Sequence, residues 1–195
     1  MKSISFLSLL FVLSLMSSCN QSGENNFQFE IPEGKEPQKT TYYFVRHAEK
    51  DTTNPENEDP QLSEKGIRRA NYLASYFSDK ELDLFYSTDY SRTIQTLIPT
   101  VQQFEGEIQN YDGKKDTLFN KSFWENTYGK DVLVIGHSNT SPRFVNEILS
   151  ENKYENLNEM NYDEFFKVEI DKDLTIKDLL INEEVPENFN YNQIR

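Results

Sequence analysis

The chain contains two histidines, and each comes at the end of an apolar run. His47 follows residues 42–45 and Arg46, whereas His137 follows residues 132–135 and a glycine. Consecutive aromatic or branched residues are typical of a strand that is buried on both faces. In open α/β sheets, ligands bind at the carboxyl ends of such strands. We therefore expect the two imidazoles to meet at one ligand site.

These residue types suit chemistry at a phosphoryl group. A neutral imidazole can attack phosphorus and form a phosphohistidine, which water later hydrolyses. The transferred group carries nearly two negative charges, so Arg46 and Arg92 are the natural clamp, because guanidinium groups bind its oxygens in a bidentate manner. We expect a cationic imidazole of His137 to add charge stabilisation, and the backbone N–H groups of Ser138 and Asn139, at a helix start, to add donors.

Other elements are predicted from apolar spacing. Residues 62–77 place apolar side chains at steps of three and four, which is typical of an amphipathic helix, with Ser63 as its cap. The remaining predicted elements are a strand over 82–86, a helix over 90–104 with a kink or break at Pro99, a strand over 107–111, an irregular helix over 116–128, a helix over 142–149 and an antiparallel hairpin of 165–170 with 174–181. Together they predict one compact α/β domain over residues 40–195.

The first 18 residues have the pattern of a signal peptide. Lys2 gives a basic start, residues 4–15 are apolar but too short to span a membrane comfortably, and small residues precede Cys19. This arrangement resembles a bacterial lipobox, whose cysteine is lipidated and becomes the mature N-terminus. We predict a protein that is exported and lipid-anchored at a bacterial membrane. The alternative is an ordinary secretory signal with an incidental cysteine beyond the cleavage site.

Residues 19–39 are rich in polar residues, glycine and proline, and predict a flexible tether between the membrane and the domain. The 195 residues carry a formal net charge of −13, which disfavours nucleic acid as a partner. We expect contact with the membrane only through the N-terminal lipid, and any phosphate site to be a local cationic pocket. Two distant histidines with no cysteine beside them make a poor metal-ligand set, so we expect no metal and no other cofactor.

Four motifs in order resemble those of the histidine phosphatases, the phosphoglycerate mutase-like superfamily. Residues 45–49 (Val-Arg-His-Ala-Glu) resemble the Arg-His-Gly/Ala-Glu signature, and residues 62–66 (Leu-Ser-Glu-Lys-Gly) resemble the helix start that follows it. Residues 87–96 resemble the segment of the second arginine, and residues 136–139 the turn of the second histidine. The resemblance covers residues 42–149.

This resemblance implies a three-layer α/β/α sandwich with a mainly parallel sheet. It also implies that His47 is the nucleophile, that Arg46 and Arg92 bind phosphate, and that His137 is the second pocket histidine. The acidic, proline-bounded loop at 51–61 differs from the stretch typical of the phosphoglycerate mutases, so hydrolysis of a small phosphorylated substrate is expected.

No Glu-Arg pair follows the second-arginine segment, so no motif marks the acid that protonates the leaving alcohol. Asp112, which follows the strand predicted at 107–111, is the first candidate, with Glu49, Glu105 and Glu107 behind it. Asp112 followed by a glycine is equally well explained as a plain turn.

Three functions remain open. The leading hypothesis is a membrane-tethered phosphatase that hydrolyses phosphate monoesters. A non-catalytic lipoprotein that binds a phosphorylated ligand is the alternative, because the acid motif is missing. Removal of phosphate from phosphohistidine in a signalling protein has suitable chemistry, but it does not fit an exported protein.

Overall fold

The computed structural model describes residues 27–190, so the predicted signal peptide and Cys19 lie outside the described residues. No helix in this part of the chain is long and apolar enough to cross a membrane. The elements, in chain order, are β1 (Thr40–Arg46), α1 (Glu64–Phe77), β2 (Leu84–Ser87), α2 (Ser91–Phe104), β3 (Ile108–Asn110), α3 (Lys121–Thr127), β4 (Asp131–Gly136), α4 (Thr140–Leu149), β5 (Glu164–Ile170) and β6 (Ile176–Asn182).

Over residues 27–190, six strands form one sheet in the order β3-β2-β4-β1-β5-β6. β1 to β4 are mutually parallel where they pair, whereas β5 pairs antiparallel with both β1 and β6. The sheet is therefore mainly parallel with an antiparallel hairpin at one edge, and the predicted fold class is confirmed.

Both faces of the sheet are covered, as the apolar run of β1 predicts. Tyr42 and Phe44 pack in one core cluster with Phe144 of α4, and the rings of Phe44 and Phe144 stack with centroids 4.8 Å apart. Tyr43 lies in the opposite cluster with Phe77 of α1. Successive side chains of a strand point to opposite faces, so an unbroken apolar strand needs a helical layer on each side.

The start of α1 is fixed against the end of β1. The Ser63 hydroxyl caps the helix by accepting a hydrogen bond from the Gly66 N–H at 3.1 Å, and the Ser63 N–H donates to the Glu49 carbonyl oxygen at 2.9 Å. A Cβ atom on Gly66 would lie 2.1 Å from that same carbonyl oxygen. The glycine therefore allows the helix to approach the strand exit closely.

The structure defines the extent of two predicted helices. α2 continues through Pro99 to Phe104, so of the kink or break expected there the break is absent. α3 covers Lys121–Thr127 only, because the preceding residues form turns whose N–H groups at Leu118 and Phe119 are satisfied by the Glu147 carboxylate rather than by helical carbonyls.

The described part of the predicted tether, residues 27–39, packs on the domain. The rings of Phe29 and Trp124 meet edge to face with centroids 5.0 Å apart, and the indole N–H of Trp124 donates to the Glu30 carbonyl oxygen at 2.8 Å. The Tyr128 hydroxyl donates to the Glu36 carbonyl oxygen at 3.1 Å. Aromatic residues of this segment thus extend the core around α3.

Candidate active site

The two predicted strand ends lie side by side. β1 and β4 are parallel neighbours in which Arg46 is opposite Gly136, and the His47 N–H donates to the Gly136 carbonyl oxygen at 2.9 Å. The imidazole centroids of His47 and His137 are 5.4 Å apart. The sequence prediction that both histidines share one site is therefore supported by the geometry.

His47 is held as a neutral imidazole in one tautomer. Its Nδ1 lies 2.8 Å from the Ala48 carbonyl oxygen, which can only accept, so Nδ1 carries the proton and Nε2 keeps its lone pair. The residue is 5% exposed. Burial, assisted by the neighbouring His137 and by the positive charges of Arg92 and Arg46, lowers the pKa of His47 to about 3, although the hydrogen bond to Ala48 opposes this shift. At neutral pH the imidazole is uncharged and nucleophilic.

His137 is positioned by residues of the second-arginine segment. Its Nε2 lies 3.0 Å from the Thr88 hydroxyl oxygen, and its ring meets the Tyr90 ring edge to face at 5.3 Å between centroids. Burial and the charges of Arg92 and Arg46 lower the pKa of His137 to about 4. Without ligand the half-buried imidazole is therefore neutral, and the cationic His137 expected to stabilise a bound phosphoryl group stays a prediction for the complex.

Arg46 is 3% exposed and contacts residues far along the chain. Its Nη1 donates to the carbonyl oxygens of Asn158 at 3.0 Å and Asn161 at 3.2 Å, and its Nη2 donates to Glu159 Oε2 at 2.6 Å. Its guanidinium carbon lies 4.1 Å from the ring centroid of Tyr162. The end of β1 and residues 158–162 therefore form one unit around this side chain.

Arg92 lies in the first turn of α2 and contacts the loop at 51–61. Its Nη1 is 3.6 Å from Asp59 Oδ1, and its guanidinium carbon is 4.4 Å from the Tyr90 ring centroid. Asp59 also accepts from the Ser91 N–H at 2.9 Å and from the Ser91 hydroxyl at 2.7 Å. The acidic loop thus caps α2 and places a carboxylate beside the second arginine.

Each arginine retains an unused donor. The buried Nε atoms of Arg46 and Arg92 have no hydrogen-bond partner within residues 27–190. Buried N–H groups of charged side chains are rarely left unpaired, because their desolvation is costly. The positive charges of both arginines also lower the pKa of each histidine. Together these donors suit a phosphoryl group bound between the arginines and His47.

The predicted donors after His137 have distinct surroundings. The Ser138 hydroxyl donates to Glu159 Oε1, and the Ser138 carbonyl oxygen accepts from the Leu157 N–H at 2.9 Å. Asn139 is the N-cap residue of α4 and is exposed. The Ser138 hydroxyl and Arg46 therefore donate to the same carboxylate, that of Glu159.

A cleft of about 840 Å³ opens beside His137. Its lining includes Arg92, His137, Asn139, Asp112 and, in the same turn as Asp112, two lysines, Lys114 and Lys115. Asp112 Oδ1 accepts from the Lys114 N–H at 3.0 Å, so the turn predicted for Asp112 is present and its carboxyl group also lines the cleft.

The other acid candidates are unsuited to proton donation at this site. Glu49 is buried in a two-bond pair with Arg69 at 3.0 and 3.1 Å, and those contacts outweigh the effect of burial and lower the pKa of Glu49. Glu105 and Glu107 precede β3, which runs parallel to β2. They therefore lie at the amino ends of the strands, whereas the histidines follow the carboxyl ends. Glu49 therefore has a structural role.

Residues that contact the site but carry no sequence motif are Glu159, Tyr162 and Asn158. They lie in the loop between α4 and β5, more than 110 positions from Arg46. Tyr90 and Thr88, by contrast, lie within the second-arginine segment and were identifiable by position. Within residues 27–190, no group of three or more His, Cys, Asp or Glu side chains is placed to hold a metal ion.

Residues 42–119 match the family model of the histidine phosphatase superfamily (branch 1). The matched segment contains Arg46, His47 and Arg92, and β4 with His137 completes the site beyond it. No curated protein matches the chain in sequence.

Solved structures share the fold at low sequence identity. A mycobacterial glucosyl-3-phosphoglycerate phosphatase aligns with a TM-score of 0.56 and 11% identity, over 75% of this chain and 100% of its own. A phosphoserine phosphatase from Entamoeba histolytica, solved with 3-phosphoglyceric acid, aligns with a TM-score of 0.56 and 14% identity, over 74% of this chain and 98% of its own. A phosphoglycerate mutase from Bacillus anthracis aligns with a TM-score of 0.56 and 14% identity, over 76% of this chain and 95% of its own. These likenesses establish the fold.

The lowered pKa values predict that neither histidine titrates in the folded protein between about pH 5 and pH 8. Because the chain has only two histidines, proton NMR of the imidazole Cε1–H signals reports on these residues alone. In concentrated urea both signals should titrate with a pKa of about 6.5, that of an unperturbed imidazole. A folded-state midpoint close to the urea value for either residue would contradict the buried, neutral assignment.

Proposed function

We propose that this chain, whose residues 42–119 match the model of the histidine phosphatase superfamily, hydrolyses phosphate monoesters through a phosphohistidine intermediate. The observation that carries the proposal is the tautomer of His47, whose Nδ1–H bond to the Ala48 carbonyl leaves the Nε2 lone pair for attack. Unpartnered Nε–H groups of Arg46 and Arg92 support a phosphoryl group beside it.

In the first step, His47 Nε2 attacks phosphorus. A bond forms between Nε2 and phosphorus, and the bond from phosphorus to the ester oxygen breaks, with its electron pair leaving on that oxygen. Arg46 and Arg92 stabilise the charge that develops on the phosphoryl oxygens. The bound dianion also raises the pKa of the neighbouring His137, so this imidazole can be protonated in the complex although it is neutral without ligand.

In the second step, water attacks phosphorus and the bond between phosphorus and Nε2 breaks. Inorganic phosphate leaves, the water proton passes to a nearby base, and His47 regains its neutral form with the proton on Nδ1. The backbone of Ala48 holds the imidazole orientation throughout, because its carbonyl oxygen accepts a hydrogen bond from the Nδ1–H group at an N–O distance of 2.8 Å in the resting protein. No other proton-bearing group is needed on that side of the ring.

The leaving group is proposed to occupy the 840 Å³ cleft beside Arg92 and His137. Asp112 lines this cleft and remains the proposed proton donor for the leaving oxygen. Lys114 and Lys115 also line it, so a small polar substrate with groups that accept hydrogen bonds suits its surface. The same carboxylate, once deprotonated, can accept the proton of the attacking water.

We predict that His47→Ala abolishes hydrolysis of an aryl phosphate, with a loss on the order of a thousandfold or more, because the nucleophile is removed. The measurement is the steady-state rate at neutral pH on the soluble domain. Rapid acid-free denaturation of the wild type during turnover should trap a phosphorylated histidine, detected by mass spectrometry at His47.

Equal rates for wild type and His47→Ala would reject the nucleophile. If a broad panel of phosphate esters gives no turnover while calorimetry shows phosphate binding, the protein is instead the non-catalytic phosphate-binding lipoprotein considered from the sequence. Circular dichroism of His47→Ala serves as the control for folding.

For the proton donor, Asp112→Asn should slow hydrolysis of an alkyl phosphate at least about tenfold and leave an aryl phosphate nearly unchanged, since an aryloxide leaves without protonation. Asp116→Asn is the matched control, because Asp116 is an exposed carboxylate of the same loop that does not line the cleft. A uniform decrease on both substrates would exclude Asp112 as the donor.

We further propose that the enzyme is tethered to a membrane through lipid on Cys19. Support comes from the basic start, the apolar residues 4–15 and the small residues before the cysteine. A lipid at this position would hold the phosphatase domain at the surface of a membrane on the exported side.

In a bacterial expression host, metabolic labelling with a palmitate analogue should tag the full-length chain, and Cys19→Ser should remove the label. Cys19 is the chain's only cysteine, so the substitution removes every thiol. Equal labelling of both proteins would refute lipidation at Cys19.

A further inference from the structure

The most informative contact outside the assigned machinery is that of Glu159. Its Oε2 accepts from Arg46 Nη2 at 2.6 Å, and its Oε1 accepts from the Ser138 hydroxyl. Arg46 is part of the proposed phosphate clamp, and Ser138 directly follows His137 at the end of the neighbouring strand. The carboxylate therefore presents one oxygen to a clamp donor and the other to a hydroxyl beside the second pocket histidine.

Each clamp arginine has one carboxylate beside it. Asp59 lies 3.6 Å from Arg92, and Glu159 lies 2.6 Å from Arg46. These two anions offset the two guanidinium charges in the ligand-free protein. A phosphoryl dianion that enters the site must therefore either displace a carboxylate or bind against its charge, and like charges at contact distance oppose each other.

The two carboxylates differ in how firmly they are held. Asp59 accepts from the Ser91 N–H and from the Ser91 hydroxyl at the start of α2, so its removal would uncap that helix. The side chain of Glu159 is 70% exposed, and within the described residues its side-chain hydrogen bonds are those with Arg46 and Ser138. Glu159 is thus the carboxylate that can leave at low cost.

The backbone around Glu159 is anchored independently of its side chain. Arg46 Nη1 donates to the carbonyl oxygens of Asn158 and Asn161, and the Leu157 N–H donates to the Ser138 carbonyl oxygen. At the far end, Arg69 pairs with Asp163 at 2.7 Å. A rotation of the Glu159 side chain can therefore free Arg46 Nη2 and the Ser138 hydroxyl while the loop stays in place.

We propose that Glu159 is an internal competitor for the phosphate site, which occupies Arg46 and Ser138 until a phosphoryl group displaces its carboxylate, and so sets the affinity for phosphate. This inference rests on the proposed function only in its use of Arg46 and Arg92 as a phosphate clamp. It does not require that the protein turns over a substrate. The Glu159 carboxylate stabilises the buried Arg46 in the ligand-free protein and weakens the binding of product phosphate.

The test is calorimetric binding of inorganic phosphate at neutral pH to wild type, Glu159→Gln, Glu159→Ala and Glu155→Gln. Glu155 is an exposed carboxylate of the same loop, so Glu155→Gln changes the net charge identically and is the matched control. Both substitutions of Glu159 should tighten phosphate binding roughly three- to tenfold, and Glu155→Gln should match the wild type.

Phosphate binding by the Glu159 variants that is equal to or weaker than that of the wild type overturns the proposal, as does equal tightening in Glu155→Gln, which would indicate a general charge effect. Absence of phosphate binding in every variant also overturns it. Tighter phosphate binding in both Glu159 variants, without turnover in any of the proteins, would support the competing role of Glu159 and reject the proposed phosphatase activity. Loss of alkyl phosphate hydrolysis in Glu159→Gln with unchanged phosphate affinity would instead identify a proton donor.

Discussion

The site depends first on the parallel register between β1 and β4. With Arg46 opposite Gly136, the two strands end at the same height, and the next residue of each is a histidine. The hydrogen bond from the His47 N–H to the Gly136 carbonyl oxygen extends the pairing one step beyond the strands. A register shift of one residue would turn alternate side chains to the other face and separate the imidazoles.

A second constraint follows from placing one buried and one half-buried imidazole near two guanidinium groups. The imidazoles respond by staying neutral, and that state is the one in which His47 can attack phosphorus. α2 brings Arg92 to the same place, and its Thr96 hydroxyl accepts from the Ala48 N–H at 2.9 Å. The helix that carries the second arginine is thus fastened to the residue that fixes the His47 tautomer.

Local sequence was sufficient to predict most of this machinery. Strand ends are marked by a change from apolar to polar residues, and in a parallel sheet those ends must converge, which placed Arg46, His47 and His137 together. The Ser63 cap and the edge hairpin follow from equally local patterns. The fold class was predictable for the same reason, since alternating strands and helices limit the possible layer arrangements.

The remainder depends on tertiary contacts that have no local pattern. Glu159 and Tyr162 reach Arg46 from a loop that contains no motif, and only the folded loop determines which of its carboxylates meets a guanidinium. The neutral state of His137 without ligand was not predictable from its motif, because charge follows from burial and from neighbours distant in sequence. The catalytic possibility for Glu49 was likewise removed by Arg69, a helical residue whose burial no single motif reveals.

A site that accepts a dianion must also be stable when it is empty. Arg46 is 3% exposed, and a buried guanidinium without a counter-charge is strongly destabilising. The structure meets this need with two backbone carbonyls, which remain in place, and one exposed carboxylate, which can be exchanged. If all the counter-charge came from buried carboxylates, phosphate could enter only by breaking the core. Placing the exchangeable anion on a solvent-facing side chain reconciles the stability of the empty clamp with access for the substrate.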